Sequence, residues 1–249
     1  MATRSGRMKR SVPGLFLSIV AAVAVAEPPK VVVDTLCRPT FELMDRPLSA
    51  GTAFLMETGV PKKPVVLVTA HHLLGPMGGL PAEVAWSDVP KAVKRATCGS
   101  VRNPTQVWVG LPLAIPGAAS FNNQTADGLR DIALLSVQGN TTVKPLKLAA
   151  APPKVGDPVW LVAQLVSGAP KDKLLFKARV VRVQDLALNY LVEDPERTFD
   201  LRATSGAPVV DERGEVIAVN LAGSRVADGF NLAGISGNVV RKALESVKP

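Results

Sequence analysis

The chain is interrupted too often to build long helices. Its 21 prolines and 20 glycines are scattered through 249 residues, between short runs rich in valine, leucine and isoleucine. Proline removes a helix hydrogen bond and glycine weakens a helix interior, so most of the surviving runs are strand-sized. Short β-branched runs bounded by turn residues predict an all-β sandwich or barrel. Strands are expected over 52–57, 65–69, 84–86, 106–109 and 132–137, then over 159–162, 174–183, 187–192, 208–210, 216–221 and 230–234. The stretch 110–130 reads as a long loop of small residues. Ala149-Ala150-Ala151-Pro152-Pro153-Lys154 is a low-complexity joint between the halves, dividing 27–150 from 151–249. Only the C-terminus departs from the pattern. There Val239, Val240, Leu244 and Val247 recur near helical spacing, with Ser236 as candidate N-cap. No internal sequence repeat is visible.

The first 26 residues read as a leader. Arg4, Arg7, Lys9 and Arg10 precede an apolar run from Leu15 to Val25, too short to span a bilayer, and Ala24-Val25-Ala26 is a small-x-small cleavage signal. Cleavage after Ala26 is expected, with the mature chain secreted or periplasmic and no membrane contact. The leader carries four of the 29 basic residues and no acid, so 25 remain against 21 acidic ones, a net +4. That mild excess, with no dense basic cluster and one tyrosine, excludes a nucleic-acid footprint. Lys62-Lys63, between Pro61 and Pro64, reads as a solvated hairpin tip. In an oxidising compartment Cys37 and Cys98, the only cysteines, are a disulfide candidate joining the N-terminal segment to a loop; two buried thiols are the alternative.

Three segments carry chemistry. Ala203-Thr204-Ser205-Gly206-Ala207-Pro208 is a tight turn leading into a strand, and such a turn exposes a hydroxyl beside unpaired backbone N–H groups. Ordinary turns gather the same residues, so the run alone proves little. Val65-Val66-Leu67-Val68-Thr69-Ala70-His71-His72 is an apolar strand that delivers the chain's only two histidines to its end. Adjacent strand residues face opposite ways, so one of the two serves any single site. No ligand cluster surrounds them, and no metal is expected. Asp131-Ile132-Ala133-Leu134-Leu135 is an aspartate at a strand mouth, where a solvated strand start is the bland alternative.

Taken in order, Thr-Ala-His-His, Asp-Ile-Ala-Leu-Leu and Thr-Ser-Gly-Ala-Pro resemble the chymotrypsin-like (trypsin-like) serine peptidases, and among them HtrA-like bacterial catalytic domains. The His, Asp, Ser order is theirs and not that of subtilisin or the α/β-hydrolases. The resemblance runs from about Ala50 to the C-terminal helix. Gly51-Thr52-Ala53-Phe54-Leu55, the segment from Val155 to Leu161 and Gly214-Glu215-Val216-Ile217-Ala218-Val219 agree with it as lesser landmarks. It implies two β-barrels, and a mature chain of about 220 residues then leaves no room for a PDZ domain.

The resemblance also implies roles. His72, the histidine of Thr-Ala-x-His, is the general base; Asp131 orients it; Ser205 is the nucleophile. Asp127 is a weaker choice for the acid. No metal or organic cofactor is implied, and the partner is a peptide or protein substrate. The oxyanion hole falls to the N–H groups of Ala203 and Ser205. Here the chain departs from the family: Ala203 and Ala207 stand where glycines are usual, and Thr204 where an Asp or Asn precedes the serine. Without that acid, the ion pair that activates trypsin zymogens is not available. Phe199, six before the serine, falls at the floor of the primary pocket, which predicts an apolar first-subsite preference, although Asp200 is adjacent. Leu221, Ala222 and Gly223 fall on the strand that pairs with substrate backbone. The altered glycines keep one rival in view, a catalytically impaired binding or chaperone-like module on the same fold. No signature of oligomeric state is visible.

Overall fold

The computed structural model describes residues 29, 33–59, 65–122, 130–194 and 196–247. The leader, Lys62-Lys63 and Asp127 lie outside the described residues. The first half contributes β1 (Leu36–Leu43), β2 (Pro47–Ser49), β3 (Ala53–Glu57), β4 (Val65–Thr69), β5 (Val93–Ser100), β6 (Val107–Pro112) and β7 (Ala133–Val137). They form one antiparallel sheet in the order β2-β1-β3-β4-β7-β6-β5, and pairing of β1 with β5 closes it into a six-stranded barrel with β2 attached outside. The second half contributes β8 (Pro158–Val162), β9 (Leu175–Val183), β10 (Ala187–Glu193), β11 (Pro208–Val210), β12 (Val216–Val226) and β13 (Gly229–Ser236). These close a second six-stranded barrel, β10-β13-β12-β11-β8-β9. Closure removes the free strand edges that an open sheet would expose.

The core follows the strand alternation. β9 reads buried-exposed-buried from Phe176 to Val180, whereas β3 and β4, covered on both faces, are almost wholly buried. One hydrophobic cluster fills the first barrel and continues through Trp160, Val210, Val219 and Ile235 into the second, so the seam is itself packed. A second cluster, around Phe176, Tyr190 and Val209, fills the second barrel. The helix α1 is a single turn, Val89–Ala92; α2, Gly237–Ser246, buries Val239, Val240, Ala243 and Leu244 and contacts β12 and β13. Ser236 does occupy its N-cap position, yet its hydroxyl donates to the Asp185 carbonyl instead of capping the helix.

Five expectations need correcting. β12 runs five residues past its expected end at Leu221, to Val226. Residues 84–86 form no strand: Val84 N donates to Leu74 O, and Asp88 N to Ala85 O as the chain turns into α1. β1, β2 and β5 were not expected, because Pro39 interrupts the β1 run and Lys94-Arg95 the β5 run; past Cys37 and Arg95 these strands hide alternate residues, Phe41 and Leu43 or Ala96 and Cys98. Cys98 therefore lies on a strand and not a loop, and its disulfide with Cys37 ties β5 to β1. Residues 110–112 belong to β6, so the loop toward Asp131 starts later than expected.

Candidate active site

His72 is not carried on the strand itself. β4 ends at Thr69, and His71–Leu74 form a 3-10 turn that buries both imidazoles. The turn separates them. His71 Nε2 lies 2.9 Å from the Val84 carbonyl and 3.4 Å from Glu83. Burial pulls the His71 pKa down, against the opposing pull of Asp131 and Glu83, and so disfavours the charged form of this ring.

His72 faces Asp131, which lies just before β7 and is fully buried. One Asp131 oxygen accepts the His72 backbone N–H at 2.8 Å. The other lies 2.8 Å from His72 Nδ1 and also accepts the Phe121 N–H at 2.9 Å. An ionised carboxylate only accepts, so the proton of the neutral ring belongs on Nδ1 and the lone pair on Nε2. Among the described residues, His72 Nε2 is the one buried side-chain nitrogen or oxygen without a hydrogen-bond partner. Leaving such an atom unpaired costs about 1–3 kcal/mol, which is unusual without a use. The Phe121 ring meets the imidazole edge-on, with centroids 5.4 Å apart, and walls one side of it.

The Ser205 loop is pinned on three consecutive carbonyls. Ser205 O accepts Thr52 N at 2.8 Å; Thr204 O accepts Ala207 N and Asn220 Nδ2; Ala203 O accepts Thr52 Oγ1 and Arg38 Nη1. Asn220 is itself held by the buried Tyr190 hydroxyl at 2.7 Å. No partner takes the N–H of Ala203 or of Ser205 among the described residues. Ala203 has φ +61°, the left-handed region, where a Cβ costs about 1–2 kcal/mol. Gly206 has φ +85°, and a Cβ there would fall 2.2 Å from Thr52 O and 2.4 Å from Thr69 Oγ1. Alanine is thus tolerated with strain at the first position, whereas only glycine fits the second. The Ser205 hydroxyl donates to Leu221 O at 2.7 Å.

His72 and Ser205 line one cleft between the barrels, of about 850 Å³, with Asp131 directly behind the imidazole. Phe199, Ala203, Leu221, Ala222 and Gly223 line the same cleft, with Phe230 and Leu232. Phe199 is fixed from both ends. Its N–H donates to the buried Asp194 carboxylate at 3.0 Å, and its carbonyl accepts Arg225 Nη2 at 2.8 Å, while Arg225 Nη1 pairs with Asp194. Burial raises the Asp194 pKa, but the N–H groups of Phe199 and Thr198 and the Arg225 guanidinium outweigh it and hold the carboxyl below its ordinary value. The Asp200 carboxylate also reaches the cleft, yet it is engaged by Arg202 at 2.5 to 3.0 Å, which lowers its pKa. Among the described residues, no cluster of His, Cys, Asp and Glu could hold a metal ion, and no helix is long and apolar enough to cross a membrane.

Sequence reasoning missed Phe121, Arg38, Thr52 and Asn220. Thr52 sits in a landmark segment that gives no hint of this role, and the others carry no local motif; Arg38 and Ala203 stand 165 positions apart, and only the closed fold brings them together.

The family model for a trypsin-like peptidase domain matches residues 51–219. Among solved structures, the chain is similar to the active form of the Rv3671c protease of M. tuberculosis: TM-score 0.53 at 15% identity, covering 87% of this chain and 82% of that one. A human pathogenic astrovirus serine protease gives TM-score 0.52 at 17% identity, covering 85% and 94%. The serine endoprotease from Yersinia pestis gives 0.53 at 12%, covering 86% and 62%. At these identities the likeness establishes the chymotrypsin-like two-barrel fold. No curated protein matches the chain in sequence.

Proposed function

We propose, for a chain that belongs to the trypsin-like peptidase family and so to the serine endopeptidases, that His72, Asp131 and Ser205 are its catalytic triad. The observation that carries the reading is the unpaired Nε2 of His72, whose other nitrogen is engaged by Asp131. A serine hydroxyl is too weak an acid to ionise near neutrality, so a base must take its proton during attack. Ser205 Oγ bonds to the substrate carbonyl carbon as its proton passes to Nε2, and the C=O electron pair moves onto oxygen. The N–H groups of Ala203 and Ser205 receive that oxyanion. Collapse breaks the C–N bond and the Nε2 proton goes to the leaving amine. Water then repeats the sequence on the acyl-enzyme, with His72 again taking a proton. Asp131 holds the tautomer throughout.

Substrate backbone adds as a strand along Leu221, Ala222 and Gly223. Leu221 O, which holds the Ser205 hydroxyl in the resting cleft, is then claimed by a substrate N–H, and the hydroxyl turns to Nε2. Phe199, Leu221 and Leu232 make the first subsite apolar, and pairing with Arg202 withholds the Asp200 charge from it. A mixed peptide library is expected to be cut mainly after apolar residues; dominant cutting after Arg or Lys removes Phe199 from the pocket floor. The chain acts after export, with its mature N-terminus at Glu27, which N-terminal sequencing of the secreted protein checks.

A fluorophosphonate probe is expected to label the purified protein at Ser205, and labelling vanishes in Ser205→Ala. The strained Ala203 and the hydroxyl held on Leu221 O favour one other reading, an impaired peptidase-fold binding module. An unreactive parent whose partner binding survives Ser205→Ala would establish that module instead.

A further inference from the structure

The Ala203 backbone is not left to hold its left-handed conformation alone. Arg38, on β1 of the first barrel, reaches across the seam. Its Nη1 lies 2.6 Å from Ala203 O, 3.0 Å from Gly51 O and 2.9 Å from Thr52 Oγ1, and its Nη2 donates to Gln164 O at 2.5 Å. Thr52 Oγ1, in turn, donates to the same Ala203 carbonyl at 2.8 Å. Among the described residues this guanidinium has no carboxylate partner, so its charge-assisted bonds go to neutral oxygens. The peptide unit between Ala203 and Thr204 lies between the two N–H groups assigned to the oxyanion hole. That unit carries neither donor itself, but fixing its carbonyl fixes the short segment to which the two flanking N–H groups are attached.

We infer that Arg38, with Thr52, is a positioning residue for the oxyanion hole: a first-barrel clamp that keeps Ala203 in the conformation a glycine would adopt freely. The inference rests on the peptidase reading of the same cleft. Neither Arg38 nor Thr52 lines the cleft. Their effect is to hold the hole open before the tetrahedral intermediate forms, which is a transition-state effect and therefore one on kcat. A purely structural tie would lower stability and leave the reaction of the folded protein alone. Glycine tells the two apart. It adopts a left-handed φ without penalty, so with Ala203→Gly the hole has less need of the clamp.

The test measures kcat, KM, probe-labelling rate and Tm for Arg38→Met and Thr52→Val, each alone and combined with Ala203→Gly. Arg38→Met is expected to lower kcat roughly 10- to 100-fold with KM changed less than about threefold, short of the roughly 10²–10³ lost when a hole donor is deleted. Thr52→Val, which keeps the volume and removes one donor, is expected to lower it about three- to tenfold, and serves if Arg38→Met does not fold. In the Ala203→Gly background both losses shrink to less than half on a logarithmic scale. A kcat unchanged within about twofold in both single variants overturns the clamp, and so does a loss of equal size with and without Ala203→Gly. A parent that neither cleaves nor labels overturns the peptidase reading first, and the clamp with it.

Discussion

His72 and Asp131 are buried, 1% and 0% exposed, at the first-barrel side of the cleft, with every Asp131 oxygen engaged by groups of that same half. Ser205 and Ala203 sit on an open loop of the second barrel whose carbonyls are held largely by Thr52 and Arg38, residues of the first. The histidine side is thus organised by burial within one half, whereas the serine side is organised by contacts across the seam. The contrast teaches where each part of the proposed reaction is vulnerable. Disturbing the first half changes protonation and tautomer. Disturbing the second changes the position of the hydroxyl and of the two N–H groups.

Asp131→Asn bears most heavily on the first side of this contrast. All three contacts to the carboxylate are N–H groups or a ring nitrogen, so in either orientation an amide NH₂ faces a donor, and where it faces the ring the His72 proton moves to Nε2. Activity is expected to fall about 10⁴-fold, by the precedent of the same change in other His-Asp-Ser triads, with about 1–3 kcal/mol of stability lost to the mismatched donor. Steady-state rates and urea unfolding read the two effects; a rate within tenfold of the parent breaks the assignment of Asp131.

Gly206→Ala probes the other half. A Cβ at φ +85° would be driven against Thr52 O and Thr69 Oγ1. Left-handed strain of about 1–2 kcal/mol adds to an overpacking penalty of about 1–3 kcal/mol, and probe labelling should fall with the displaced loop. Denaturant midpoints measure it. A loss below about 0.5 kcal/mol with full labelling, inside the range of ordinary surface changes, means that the loop moves freely and the seam does not hold it.

The smallest effect is a slope, and it sharpens the burial side. Burial lowers the folded-state pKa of His71 below its unfolded value of about 6.5. Between those two values the unfolded chain binds the extra proton, so stability is fully present above about pH 6.5 and drains as the pH falls below it. His71→Gln should flatten that decline in Tm between about pH 7.5 and pH 5. An identical slope in parent and variant shows that some other group drives it.

Much of this was legible along the chain. Val65–Thr69 and Pro208–Val210 have the bounds their composition predicts, and β8, β9 and β10 differ from expectation by a residue at an end. These runs are largely apolar, or bury alternate residues as β9 and β10 do, so near neighbours suffice to specify them. Leu36–Leu43 escaped because Arg38, Pro39 and Glu42 break its apolar pattern, and 84–86 misled because an apolar triplet does not say whether a partner strand is near. His72 and Ser205 line one cleft with Asp131 behind the ring, and their order in sequence says nothing about that geometry.

By itself, then, the sequence determined an all-β chain in two halves, with a histidine, an aspartate and a serine in family order. Those properties follow from local propensity and from residue type, which short stretches carry in full. The tertiary structure alone decided which nitrogen of His72 stays unpaired, that Ala203 stands at φ +61°, and that a guanidinium from another barrel holds its carbonyl. A buried polar atom takes whichever partner the closed fold delivers to it, and that partner can come from any distance along the chain.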